Sequence, residues 1–157
     1  MRVGMGYDIH RLVPGRDLVL GGIKIPYHLG LLGHSDADVL VHAICDALLG
    51  AAGEGDIGRH FPPGYARYLN ISSMELLKKV REMISPSFSI INVDAVIIAE
   101  EPKLAPYIPM MRENLKECLG LKSLRDISIK ATTNEGVGEI GRGQAVAAFA
   151  VACLEER

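Results

Sequence analysis

Strands and helices alternate along this chain, and that alternation predicts an α/β or α+β sandwich in which one sheet is covered by helices. Three observations carry the prediction. Residues 90–99 form an apolar run rich in β-branched side chains. Serines of capping type stand at Ser35 and Ser72, ahead of segments with helical periodicity. Glycine or proline then closes most segments, as in Gly53, Pro86 and Gly120.

In order, residues 2–8 alternate Val3, Met5 and Tyr7 against Arg2 and glycines, a strand pattern. Residues 18–25 read as a hairpin turning on Gly21-Gly22 and stopped by Pro26. Ser35 with Asp38 resembles a capping box that opens a helix through about residue 52. Ser72 with Glu75 opens a second helix over residues 74–84. The 90–99 run is expected to be a strand buried on both faces. A helix over 109–119 and a strand over 127–133 follow, while residues 145–154 fit helix or strand equally well. No repeat or linker is visible, so residues 1–157 are expected to form one domain.

Composition excludes several classes of function. With 48% hydrophobic and 23% charged residues the chain suits a globular protein. A formal charge of -2 gives no electrostatic case for a nucleic-acid or membrane partner. Aromatic residues make up only 5%, too few for a base-stacking platform. No apolar run nears the ~20 residues that span a bilayer, and the N-terminus lacks the apolar core of a signal peptide. Cys45, Cys118 and Cys153 lie far apart with no C-x-x-C, as expected of thiols in a reducing cytoplasm.

The most informative residues are Asp8 and His10 in Gly6-Tyr7-Asp8-Ile9-His10. Two apart on a strand, they point the same way. His42, on the helix that follows, supplies a third ligand. Two imidazoles, one carboxylate and an open fourth position match a catalytic zinc site. Structural alternatives stand beside this reading: Asp8 as a turn cap with His10 packed nearby, and His42 as a core histidine satisfied by a polar neighbour. Asp38 and Asp46 lie four residues either side of His42, and either could orient its ring.

Three loops carry groups suited to phosphates and sugars. His34-Ser35 precedes a helix N-terminus, where free N–H groups favour anions. Residues 53–58 combine flexible backbone with Asp56 but lack the G-x-G-x-x-G spacing of a dinucleotide fold. Residues 130–136 end a strand in hydroxyls, Glu135 and a glycine, equipment for phosphate and a hard cation. With a metal triad, these loops indicate phosphoryl chemistry.

The segments GYDIHRL, LLGHSDADVLVHAICDALLGAAGEGDIGRHFP, EEPKLAPYIPMM and IKATTNEGVGEIGRG together resemble the 2-C-methyl-D-erythritol 2,4-cyclodiphosphate synthase family, essentially end to end. The resemblance implies an α+β fold with a mixed four-stranded sheet, helices packed on one face, and a homotrimer with active sites between subunits. It makes the last run a strand. It also implies a lyase of the non-mevalonate isoprenoid pathway, cyclising 4-diphosphocytidyl-2-C-methyl-D-erythritol 2-phosphate with release of CMP.

By the same resemblance Asp8, His10 and His42 hold zinc, one ion per subunit, and Glu135 holds a second ion, Mg2+ or Mn2+, on the substrate phosphates. His34 and Thr133 stabilise the transition state. His34, Ser35, Asp56 and Gly58 form the methylerythritol phosphate side, and Asp8, His10, Ile57 and Phe61 are further substrate contacts. Pro102, Lys103, Leu104, Ala105, Ala131 and Thr132 receive the cytidine nucleotide, and Thr133, Glu135 and Arg142 also belong to the substrate-contacting set. The chain departs from the family in two places. Pro63, Gly64 and Tyr65 stand where acidic residues are frequent, and Glu139 stands where an aromatic is common near the trimer axis.

The implied chemistry needs no enzyme nucleophile, since the substrate's own 2-phosphate attacks its β-phosphorus. Two other readings of the residues remain at this point. One is a zinc-dependent hydrolase of nucleotide diphosphates working through metal-bound hydroxide. The other is a non-catalytic trimeric nucleotide-binding regulator with structural histidines.

Overall fold

The computed structural model describes residues 1–157. The first strand, β1 (Arg2–Val13), runs five residues beyond its predicted end. A hairpin follows, β2 (Leu18–Leu20) and β3 (Ile23–Ile25), forming a separate two-stranded sheet. Its turn residues Gly21 and Gly22 both have positive φ, 59° and 73°, which is why glycine stands at each. A short strand, β4 (Gly30–Leu31), then pairs with the end of β1 through Leu12 and Leu31.

The helix predicted from Ser35 begins later, as α1 (Val39–Ala52), and its cap is Asp38. Ala37 explains the delay, because its φ of 55° cannot continue a helix. The Asp38 carboxylate accepts from the N–H of Val41 at 3.1 Å, and also from Gly21 at 3.1 Å and Gly22 at 2.8 Å. One buried carboxylate thus ties the hairpin turn to the helix start. Gly53, with φ of 81°, closes α1 as expected.

The remaining elements are α2 (Ile57–His60), α3 (Ser73–Ile84), β5 (Phe88–Ile98), α4 (Ile108–Leu119), β6 (Ile127–Thr132), α5 (Gly138–Gly141) and β7 (Ala145–Glu156). Ser72 caps α3 by accepting from Met74 N–H at 3.2 Å, and Gly120 closes α4. Residues 145–154, ambiguous by pattern, fall in a strand at the centre of the sheet.

The main sheet has the order β4-β1-β7-β5-β6. Only β5 and β6 run parallel, with α4 as their crossover; the other pairs are antiparallel. The sheet is therefore mixed but five-stranded. The expected four are the long strands, and the two-residue β4 adds an edge where the chain returns alongside β1.

The core lies between the sheet and a layer of α1, α3 and α4. Along β1 the residues facing α1 are Gly4 and Gly6, followed by Asp8 and His10. A Cβ on Gly4 would lie 2.1 Å from the Ala47 carbonyl oxygen, and one on Gly6 only 1.9 Å from that of Ala43. Missing side chains thus let the helix sit directly on the strand. Gly6→Ala would force the two apart, at a cost of ~3 kcal/mol.

The opposite sheet face carries no helix. Val3, Met5, Tyr7 and Ile9 of β1 are exposed there, as are Phe149 and Val151 of β7. The expectation that β5 is buried on both faces also fails. Val93, Ala95 and Ile97 are buried, whereas Asp94, Val96 and Ile98 alternate with them toward the open side. An apolar run reads the same whether its second face meets a helix or is left uncovered.

Candidate metal centre and its cavity

Period-two alternation and the glycine-permitted contact bring three side chains together. Asp8 and His10 project from β1 toward α1, and His42 projects from α1 toward β1. The Asp8 Oδ2 lies 3.2 Å from His10 Nε2 and 3.0 Å from His42 Nδ1. One ligand atom from each residue falls within 4.8 Å of the others, and all three side chains are half-buried. The inner nitrogens are His10 Nε2 and His42 Nδ1. The outer ones already have partners. His10 Nδ1 lies 2.7 Å from the Leu32 carbonyl, and His42 Nε2 lies 2.9 Å from Ser73 Oγ.

The electrostatics fit a cation. Burial pushes the Asp8 carboxyl up, but hydrogen bonds from His10 and His42 and their charge outweigh it and hold it below the usual range. The hydrogen bond to Asp8 raises His10, against a smaller opposing effect of burial. Two imidazoles and a carboxylate form a suitable donor set for zinc. With the outer nitrogens engaged elsewhere, the inner nitrogens, which hydrogen-bond Asp8, are the ones that would give up that contact to an ion.

A cavity of about 420 Å³ opens beside the triad. His10 and His42 line it together with His34, Ser35, Ile57, Gly58 and Phe61, so most of the methylerythritol-side set is assembled here. Asp56 is not in the lining. It is exposed and caps α2, accepting from Arg59 N–H at 2.9 Å. Pro63, Gly64, Tyr65 and Tyr68 complete one wall, so the stretch that departs from the family still faces the site.

Neither carboxylate expected to orient His42 does so. Asp38 is committed to the hairpin and helix cap, and Asp46 accepts from Ile57 N–H at 2.9 Å, holding the start of α2. Ser73 takes that place, and Asp36 in turn grips Ser73. Sequence reasoning missed both. Ser73 lies 31 residues from His42, and its only local signal is its place in the first turn of α3.

The second predicted group is elsewhere. Asp8 aligns with Ala148, then Ile97, then Ala131 across the sheet. Three strand spacings put Ala131 ~14 Å from Asp8, at the same end of the sheet. Ala131, Thr132, Thr133 and Glu135 are exposed there, as are Lys103 and Ala105, while Pro102 is half-buried. Leu104 instead packs into the core. Glu100 organises this loop, accepting from Asn134 N–H and Gly136 N–H, both at 3.0 Å, while Thr133 Oγ1 accepts from Glu135 N–H. Arg142 pairs with Glu139 of the same chain at 3.0 Å.

A mixed sheet with helices on one face, and an Asp-His-His cluster open to a cavity, define the class: an α+β protein with a candidate metal centre. The chain belongs to the YgbB family, whose model matches residues 1–155. It is 60% identical over 157 residues to the 2-C-methyl-D-erythritol 2,4-cyclodiphosphate synthase of Gloeobacter violaceus, covering 99% of this chain and 96% of that one. Among solved structures, the bifunctional IspDF from Campylobacter jejuni superposes with a TM-score of 0.94 at 39% identity; 99% of this chain is covered, and it spans 42% of that longer one. IspF from Plasmodium falciparum, in complex with CDP, gives a TM-score of 0.87 at 35% identity, covering 99% of this chain and 96% of that one. The resemblance read from the motifs is thereby upheld over the full length. No helix is long and apolar enough to cross a membrane.

Proposed function

We propose that the chain is a phosphorus–oxygen lyase of isoprenoid biosynthesis. It closes 4-diphosphocytidyl-2-C-methyl-D-erythritol 2-phosphate into 2-C-methyl-D-erythritol 2,4-cyclodiphosphate and releases CMP. The observation that carries the reading is the Asp8-His10-His42 cluster at the mouth of its cavity, in a chain whose relatives bear that enzyme's name. An oxygen of the 2-phosphate forms a bond to the β-phosphorus. The bond from that phosphorus to the CMP oxygen breaks, and CMP departs with the electron pair.

Bringing two anionic groups together is the main obstacle. Zinc held by Asp8, His10 and His42, with Mg2+ or Mn2+ held by Glu135, supplies Lewis-acid neutralisation of phosphate charge when bound. The chain's own residues supply orientation, worth up to ~7–11 kcal/mol in favourable intramolecular cases. His34, Ser35, Ile57, Gly58 and Phe61 hold the methylerythritol phosphate end, with Asp56 at the rim. Pro102, Lys103, Leu104, Ala105, Ala131 and Thr132 receive the cytidine, with Leu104 contributing through its backbone. His34 and Thr133 donate hydrogen bonds as charge shifts.

The working unit in this reading is a homotrimer of one-domain chains, residues 1–157, in the cytoplasm. Each active site combines the metal half of one chain with the nucleotide half of its neighbour. Two observations support it: the ~14 Å between the halves within a chain, and the uncovered apolar face of β1 and β7. Incubation with the cytidyl substrate in 18O-water is the test. CMP and a cyclic diphosphate, both free of label, are expected. Labelled products would mean hydrolysis and would overturn the assignment.

A further inference from the structure

The two histidines of the triad are oriented by different means. A carbonyl oxygen can only accept, so the contact of His10 Nδ1 with Leu32 O at 2.7 Å requires a proton on Nδ1. Nε2, which faces Asp8 at 3.2 Å, is then the nitrogen left to meet an ion. On its outer side His42 has no such one-way partner. Its Nε2 meets Ser73 Oγ at 2.9 Å, and a hydroxyl can donate or accept. Were Ser73 to donate to Nε2, the ring proton would sit on Nδ1 and block the nitrogen that faces Asp8.

Asp36 removes the ambiguity. Its Oδ1 is a hydrogen-bond acceptor for the Ser73 hydroxyl, and its Oδ2 accepts from Ser73 N–H at 3.0 Å. Oδ1 is also 3.2 Å from Asp38 N–H, so the carboxylate is anchored from both sides. A carboxylate is acceptor-only. The Ser73 proton therefore goes to Asp36, leaving the Ser73 oxygen as an acceptor for His42 Nε2–H. Ser73 is 1% exposed, so water does not compete for these bonds.

We propose that Asp36 and Ser73 are positioning residues for the metal centre, a relay that fixes His42 with its proton on Nε2 and its Nδ1 lone pair free for the ion. The relay rests on the metal reading above. It also couples two cavity elements to the ligand, because Asp36 follows Ser35 and Ser73 begins α3. An outer partner of this kind typically changes metal affinity 10- to 100-fold.

The test uses the full-length protein, zinc and a competing chelator, together with long-range 1H–15N correlation spectra that locate ring protons. In the zinc-loaded protein His42 is expected to carry its proton on Nε2. Ser73→Ala is expected to weaken zinc binding by ~10- to 100-fold, and Ser73→Thr, which keeps the hydroxyl, to recover most of that loss. A His42 proton on Nδ1 in the zinc-loaded protein would overturn the relay. So would Ser73→Ala binding zinc as tightly as the unaltered protein, and in either case the metal reading survives. If instead the unaltered protein binds zinc no better than Asp8→Ala, the metal reading falls and the relay falls with it. The spectra of the unaltered protein decide the matter even if a Ser73 variant fails to fold.

Discussion

The seam between β1 and α1 and the loop after β6 are built by opposite rules. At the seam, Asp8, His10 and His42 project from regular elements, are half-buried, and meet partners within their own chain. After β6, Thr133 and Glu135 are exposed on a turn gripped by Glu100. The first region is finished by folding alone. The second is shaped by folding but depends, in the proposed trimer, on what a neighbour brings.

The sharpest way to break this contrast is at the ligands. His42→Ala should abolish zinc binding and lower turnover by at least ~10³-fold, since a metal contributes several kcal/mol of charge stabilisation. Its thermal midpoint without zinc should stay within a few degrees of the unaltered protein. Turnover, metal content and calorimetry on one preparation check all three.

Asp38 offers a second test, in pH. Burial lifts its carboxyl from 3.8 to about 6, against hydrogen bonds from Gly22, Val41 and Gly21 that lower it. Between those values the folded protein keeps a proton that the unfolded chain has lost. Its contribution is fully present below pH ~4 and is lost as pH rises through ~6, on the order of 3 kcal/mol in all. Denaturant unfolding of the zinc-free protein should show that decline. Asp38→Asn should remove it from the difference curve.

Thr133→Ala tests the other region. Losing one donor to the transition state should cost ~10²-fold in turnover with no change in zinc affinity. Mixed with His42→Ala after verified subunit exchange, it should regain activity, because some interfaces then pair two intact halves. Activity that stays at background would show the site to be complete within one chain. The smallest effect is expected from Glu100→Gln. An amide accepts only through its oxygen, so one of two backbone N–H groups loses its partner, at ~1 kcal/mol. The Michaelis constant should rise, while zinc affinity stays unchanged.

The same contrast explains what could be read in advance. Asp8 and His10 were legible because strand periodicity alone puts them on one side, and His42 because an apolar helix leaves a histidine in need of a partner. The hairpin on Gly21-Gly22 and the closures at Gly53 and Gly120 were legible from backbone chemistry. The orienting serine was not, since Ser73 reaches His42 only through the packing of α3 on α1. The start of α1 was misplaced because the positive φ of Ala37 has no sequence signal. The open face of β5 was misjudged because apolar composition does not say which molecule covers it.

Strand β1 has one further consequence. Its even-numbered residues from Gly4 to His10 serve the helix contact and the candidate metal centre, and its odd-numbered residues from Val3 to Ile9 form the bare apolar surface. A register slip of one position exchanges the two sets completely. Inserting a single residue between Gly6 and Asp8 would thus put either the glycines or the Asp8-His10 pair out of phase, turning one of them outward and drawing part of the adhesive surface inward. The two properties share one thread of backbone, and no small drift in length can improve one while sparing the other.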